Sequence, residues 1–242
     1  MPFEIRFPDS NETANQDEEF CEVVLDGEIR KIRFHDYDEI FEVPGLYEQL
    51  FYDELRCTSP DVVIDLLAES VPLEGLRVLD LGAGNGMVGE RLAKLGVGEL
   101  VGVDIIPEAA TATHRDRPGV YDDYVVGDMT DLPQDDHRRL EERQFTCLTS
   151  VAALGFGDVP PEAFTAAYDL VQDEGFVAFC IKEDFLREEE SEASGFARLM
   201  RGLIERGELD VIGEHRYDHR NSAVGDPLSY VALVARKQGA GV

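Results

Sequence analysis

From residue 76 onward, the apolar residues of this chain fall into two alternating patterns. Short continuous runs occupy 77–81, 100–104, 123–126, 145–150 and 175–181. Runs of that length fit strands of a parallel sheet covered on both faces. Between them apolar side chains return every three or four positions, as on helices. Val88, Leu92 and Leu95 share a face that Gly96 closes, and Pro107 begins another helix. A helix from Pro161 carries Phe164, Tyr168 and Val171, and Phe196, Leu199, Met200 and Leu203 follow the i, i+3, i+4, i+7 rule. Two strand-like runs, 209–216 and 228–235, end the pattern and are joined by a polar loop. Strands alternating with helices through short loops predict an α/β fold. Its seven-stranded sheet is mostly parallel and doubly wound, with an antiparallel C-terminal hairpin strand.

Upstream, Asp26-Gly27 separates two β-prone runs, a signal for a two-residue hairpin turn. Residues 36–71 read as helical, broken at Pro44-Gly45 and reopened at Ser59-Pro60-Asp61. The division expected is an N-terminal hairpin and helical segment over 1–75 and a main domain over 76–242, packed as one unit. Residues 9–19 are polar and acidic and read as loose, and the charged run 187–192 as a solvated face.

Composition narrows the function. With 242 residues and 43% hydrophobic content, one large core is affordable. No apolar run approaches the roughly 20 residues of a membrane span, and no basic-then-apolar leader opens the chain, so no membrane role and a cytoplasmic location are expected. Four cysteines show no metal-ligand spacing and read as reduced thiols, with no metal site expected. Fifty-one acidic residues against 22 basic ones give a formal charge of −29. Phosphate backbones make poor partners for such a surface, so no nucleic-acid partner is expected. Self-repulsion of this size also suggests a protein adapted to high salt.

The candidate chemistry begins at Val78–Gly86, VLDLGAGNG. Glycines 82, 84 and 86 would turn the chain at a strand's carboxyl end, where α/β sheets bind ligands, and bring backbone N–H groups against the ligand. A dinucleotide fingerprint would have glycine at 87, where this chain has Met87. Asp80, two residues before the first glycine, would repel a pyrophosphate and attract a cationic cofactor. Here the sequence resembles the class I (Rossmann-like) S-adenosylmethionine-dependent methyltransferases, whose first motif is D/E-x-G-x-G-x-G. The resemblance covers residues 76–182 best and implies S-adenosyl-L-methionine as cofactor. It assigns the cofactor to Asp80, Gly82, Ala83, Gly84, Asn85 and Gly86. Asp104, with Ile105, would take the ribose hydroxyls, Asp128 and Met129 the adenine, and Val151 would lie under the cofactor.

The acceptor is less legible. Where amino-methylating relatives carry N/D-P-P-Y/F, this chain has Val151-Ala152-Ala153-Leu154, and no catechol-type metal trio stands near. A small-molecule acceptor is therefore expected. His219, read as lying in the closing hairpin loop, and Lys182 are the catalytic candidates. Tyr47 and Tyr52 on the N-terminal helices, which lid the cofactor in similar enzymes, join Glu183 and Arg220 as candidate acceptor contacts. Two alternatives stay open: a cofactor-binding protein that acts through a partner, and an NAD(P)-dependent oxidoreductase.

Overall fold

The computed structural model describes residues 2–9, 16–155, 158–186 and 195–239. The charged run 187–192, part of the acidic stretch 9–19 and the end of the loop after residue 155 lie outside the described residues.

Among the described residues, ten strands form two sheets. A small antiparallel sheet holds β1 (Ile5–Arg6), β2 (Phe20–Leu25) and β3 (Glu28–Arg33), with Asp26-Gly27 at the expected turn. The large sheet comprises β4 (Arg77–Leu81), β5 (Glu99–Asp104), β6 (Asp123–Val126), β7 (Phe145–Ser150), β8 (Val171–Lys182), β9 (Leu209–Asn221) and β10 (Pro227–Lys237). Its order is β6-β5-β4-β7-β8-β10-β9; the first five run parallel, and β10 pairs antiparallel with both β8 and β9. This is the predicted α/β fold.

Continuous apolar strands make sense because both faces of the sheet are covered. Leu79, Val101, Val103, Leu148 and Phe179 face one core, which includes Phe164 and Phe196. Val78, Leu100, Cys147 and Cys180 face the other, with Ile64, Leu67 and Leu92. In chain order the helices are α1 (Tyr37–Glu42), α2 (Leu46–Glu48, continued by a π-helical segment Gln49–Glu54), α3 (Ser59–Ser70), α4 (Met87–Lys94), α5 (Pro107–Asp116), α6 (Gln134–Arg143), α7 (Pro161–Asp169) and α8 (Phe196–Glu205). Among the described residues no helix is long and apolar enough to cross a membrane.

Three elements depart from the sequence reading. Helix α6 was not foreseen: it buries only Leu140 and has no apolar period to read. Strand β8 starts four residues early, at Val171. Strand β9 runs on to Asn221, so residues 217–220 are strand, and the hairpin turn lies beyond them. That last extension is held by distant partners. The main-chain N–H of Thr58 donates to the carbonyl of His219, and that of Asn221 to Leu55 (2.8 Å each). Glu19, 3% exposed, takes Arg220 Nη2 and the Ala223 N–H at 2.6 Å each. Sequence periodicity cannot reveal a strand whose polar side chains are satisfied from 160 to 200 residues away.

Candidate active site

At the carboxyl ends of β4, β5, β6 and β7 lies a cavity of about 490 Å³, within the range usual for small-molecule sites. Its floor and walls include Gly82, Gly84, Asp104, Ile105, Asp128, Met129 and Val151. Seven of the eleven cofactor candidates thus meet in one place. The expected helical cover is there too: Tyr37, Phe41 and Tyr47 close one side.

The other four candidates stand outside that wall. Asp80 is buried, accepting from Thr149 Oγ1 (2.7 Å) and Tyr121 Oη (2.6 Å). Desolvation raises its pKa to about 6, against those two hydrogen bonds. Both oxygens thus accept inside the protein, tying β4 to β7 through Thr149 and to the segment before β6 through Tyr121, and Asp80 is not on the cavity wall where the sequence reading expects it beside the cofactor's cationic end. Ala83 packs inside, Asn85 donates to Glu48 (2.7 Å), and Gly86 starts α4 against Val120 and Arg117.

The glycine loop also works differently from its first reading. The N–H groups of Gly82 and Ala83 donate to the Val103 carbonyl, that of Gly84 to Asp104 Oδ2 (2.9 Å), and that of Gly86 to Ala83. These amides are spent inside the fold, so the loop is no phosphate cradle. Glycine is needed for close passage of chain. At Gly82 (φ +72°) a Cβ would stand 2.6 Å from Ala153 Cβ, and at Gly84 (φ +53°) 3.3 Å from Phe41. The Gly84 carbonyl is pinned in turn by Thr113 Oγ1 (2.7 Å) and Tyr124 Oη (2.8 Å).

Electrostatics sort the ligands that fit. Among the described residues, the cavity wall carries Asp104, Asp128 and Asp158 and no lysine or arginine. Burial holds the Asp104 carboxyl above the ordinary value, opposed by the N–H groups of Ile106 and Gly84. Asp128 is shifted the other way, lowered by the Thr130 N–H and hydroxyl. A wall of carboxylates without spare amides opposes a pyrophosphate and suits a cofactor with sulfonium and ammonium charges and ribose hydroxyl donors. S-adenosylmethionine has those features, so the residues present fit it.

Residues 79–179 match the family described as "Methyltransferase domain". Over this stretch the chain is similar to that methyltransferase family. Among curated proteins, a ubiquinone biosynthesis O-methyltransferase from Azorhizobium caulinodans is 43% identical over 63 residues, 25% of this chain and 24% of that protein. The match thus spans about a quarter of the relative's length. Among solved structures, a chain from a Haloferax volcanii complex between a methyltransferase activator and a methyltransferase aligns over 84% of this chain and 98% of its own. Its TM-score is 0.59 at 16% identity. Magnesium protoporphyrin IX methyltransferase from Synechocystis, with S-adenosylhomocysteine bound, aligns over 74% and 81%, with TM-score 0.50 at 15% identity.

Against this methyltransferase frame, the acceptor candidates divide. Tyr47 lines the main cavity and a second recess of about 40 Å³ beside it. His219 and Arg220 line the recess only. His219 is not in a loop: it is 6% exposed, bonded through Nδ1 to Ser59 Oγ (2.6 Å), and its ring lies 4.2 Å from that of Tyr230. Burial, with the Arg220 charge, pushes its pKa down to about 3. An imidazole so reluctant to take a proton is a poor general base at neutral pH. Lys182 pairs with Asp184 (3.6 Å) and Glu183 with Arg216 (3.4 Å), and neither lines either cavity; nor does Tyr52. For Lys182 and Glu183 the expected place on the cavity wall is not met because the end of β8 is occupied with its own ion pairs, and the Tyr52 ring packs 6.0 Å from that of Tyr47 instead.

Two residues were undervalued by sequence. His35, just after β3, and Asp158, after β7, meet through Nδ1 and Oδ2 at 2.9 Å, and both line both cavities. With 123 positions separating them, no local motif could have announced the pair.

Proposed function

We propose that this protein transfers the methyl group of S-adenosylmethionine to a small-molecule acceptor. The observation that carries the reading is the carboxylate-walled cavity at the ends of β4–β7, with Asp104 and Asp128 on the wall and, among the described residues, no lysine or arginine there to meet a pyrophosphate. In this reading Asp104 accepts from the ribose hydroxyls, Asp128 and Met129 meet the adenine edge, and Ile105 and Val151 pack against the ligand. Gly82 and Gly84 keep the loop thin beneath it. When bound, the sulfonium supplies a methyl carbon already activated for displacement, so the protein's own work is alignment and exclusion of water. The partial match to an O-methyltransferase and the small recess support a small acceptor over a macromolecular one.

Calorimetry with S-adenosylmethionine, S-adenosylhomocysteine and NADH tests the reading. Saturable binding of the first two and none of the third is expected. Binding of NADH alone would replace the reading with an oxidoreductase.

A further inference from the structure

We propose that His35, held by Asp158, is the general base of this site, and that its acceptor is a small, neutral, planar alcohol of the phenol or enol type; the assignment rests on the methyltransferase reading above. The main cavity and the recess share His35, Tyr37, Tyr47, Ala152, Ala153 and Asp158 on their walls. A methyl donor in the larger space and an acceptor group in the smaller would meet at this shared wall. The recess, at about 40 Å³, admits only the reacting edge of an acceptor, and the rest of that molecule lies in the main cavity.

The tautomer follows from the partner. An ionised carboxylate only accepts hydrogen bonds, so the Nδ1 that lies 2.9 Å from Asp158 Oδ2 carries the proton and the ring's lone pair is on Nε2. With side chains 14% and 26% exposed, the pair is sheltered yet reachable. The other titratable groups on the recess wall are unsuited. Burial raises the Tyr37, Tyr47 and Tyr230 phenols and lifts the Cys57 thiol to about 11, while His219 is pushed down to about 3. Arg220 is committed to Glu19 at 2.6 Å. The charges facing His35 across the cavities are therefore Asp104, Asp128, Asp158 and this neutralised Arg220.

The same wall selects the acceptor. An anion would meet three carboxylates and, among the described residues on the two walls, a single arginine already paired with Glu19. An amine would be held by those carboxylates as ammonium, which has no lone pair to attack with. Rings at Tyr37, Phe41 and Tyr47, with Phe34, Phe51 and Tyr230 around the recess, favour a flat, apolar body. In the step, an oxygen lone pair forms the O–CH3 bond and the C–S bond breaks, leaving its electron pair on sulfur as a neutral thioether. The hydroxyl proton passes to His35 Nε2, and Asp158 stabilises the imidazolium until solvent takes the proton.

The test uses the whole chain with catechol, 4-methylcatechol and 2-naphthol as acceptors, following S-adenosylhomocysteine release. His35→Gln is expected to lower kcat by about 10²–10⁴, flatten the low-pH limb of the rate profile and leave S-adenosylmethionine Kd within about threefold. Asp158→Asn should lower kcat comparably, because the amide can donate to Nδ1 and move the ring proton to Nε2. Nitrogen-15 histidine spectra read that change without turnover: Nδ1–H for His35 in the wild type, and Nε2–H in Asp158→Asn. An unchanged kcat in His35→Gln, or Nε2–H in the wild type, overturns the base. Methylation of benzylamine in preference to the phenols, or of no phenol by protein that binds S-adenosylmethionine, overturns the acceptor class. Failure of the wild type to bind S-adenosylmethionine would instead sink the methyltransferase reading.

Discussion

The two halves of this site are built on different plans. The cofactor side hangs from the ends of four neighbouring strands, β4 to β7, each supplying residues within a few positions of its last hydrogen bond. The proposed acceptor side is assembled from three distant stretches: residues 16–57, residues 152–154 with Asp158, and the strands that carry His219, Arg220 and Tyr230. On the first side a short segment of chain suffices to position a side chain. On the second, position depends on tertiary contacts such as Glu19 with Arg220 and Ser59 with His219. The first arrangement tolerates change elsewhere in the molecule, whereas the second makes acceptor choice sensitive to every element packed around it.

The largest expected effect comes where the halves touch. Gly82 sits against Ala153, which lines both cavities, and its left-handed φ of +72° adds strain for any side chain. Gly82→Val should reduce S-adenosylmethionine affinity on the order of a hundredfold or more, from about 1–3 kcal/mol of backbone strain plus displacement of the 152–154 loop. Calorimetry reads the loss, and circular dichroism checks that the fold persists. Near-normal affinity would show that the two halves are not coupled through this loop.

Asp104→Ala separates them instead. Loss of charge-assisted hydrogen bonds worth about 1.5–3 kcal/mol should weaken cofactor binding roughly ten- to a hundredfold. Asp104 also accepts from Gly84 and Ile106, so Asp104→Asn, which keeps one carbonyl oxygen, should fall between the two. An unchanged Kd in the alanine variant would remove Asp104 from the site.

The same contrast explains what was legible in the sequence. Strands β4, β6 and β7 were read to the residue, because continuous apolar runs bounded by turns leave little freedom. The cavity residues at their ends followed, since a strand end and a short motif determine position together. The surroundings of Asp80 are not legible, because sequence shows a carboxylate next to the glycines but not Tyr121 and Thr149, which donate to it. His219 is read as loop because its flanks are rich in Asp, Arg and Asn; main-chain pairing of its neighbours with β10, and the Thr58 N–H on its own carbonyl, make it strand. The His35–Asp158 pair left no signal beyond the residue types themselves.

Burial of His219 and Asp80 gives the halves opposite responses to acid. The folded His219 titrates near 3 and the unfolded chain near 6.5, so below 6.5 the unfolded state alone gains the proton. Stability is then lost as pH falls from 6.5 toward 3, by up to about 1.4 kcal/mol per pH unit. Asp80 does the reverse: with a folded pKa near 6 against 3.8, its protonated form adds stability as pH falls through 6, and that gain is lost as pH rises again. Urea unfolding from pH 7.5 to 5 should show a shallower decline for His219→Gln and a steeper one for Asp80→Asn. Slopes equal to the wild type in both variants would mean that neither group is buried as described.

Salt should produce the smallest effect, and it should fall unevenly on the two halves. Residues 1–75 hold 20 acidic against 5 basic residues, a net −15 that is about half of the total −29 in under a third of the chain. Raising sodium chloride from about 0.1 M to 2 M shortens the Debye length from about 10 Å to below about 3 Å and screens this repulsion. Tm should rise by several degrees, with sodium sulfate as a control for exclusion of salt from the surface. Local stability should rise most in the N-terminal segment, where charge is densest. The Glu19–Arg220 pair, nearly closed to solvent, should be little screened and should keep the acceptor side in place as salt rises. Amide exchange across the same salt range separates these contributions: β2 and β3 should gain more protection than β4 and β5. Equal gains would trace the effect to general exclusion of salt, and a flat Tm would rule out adaptation of this acidic surface to high salt.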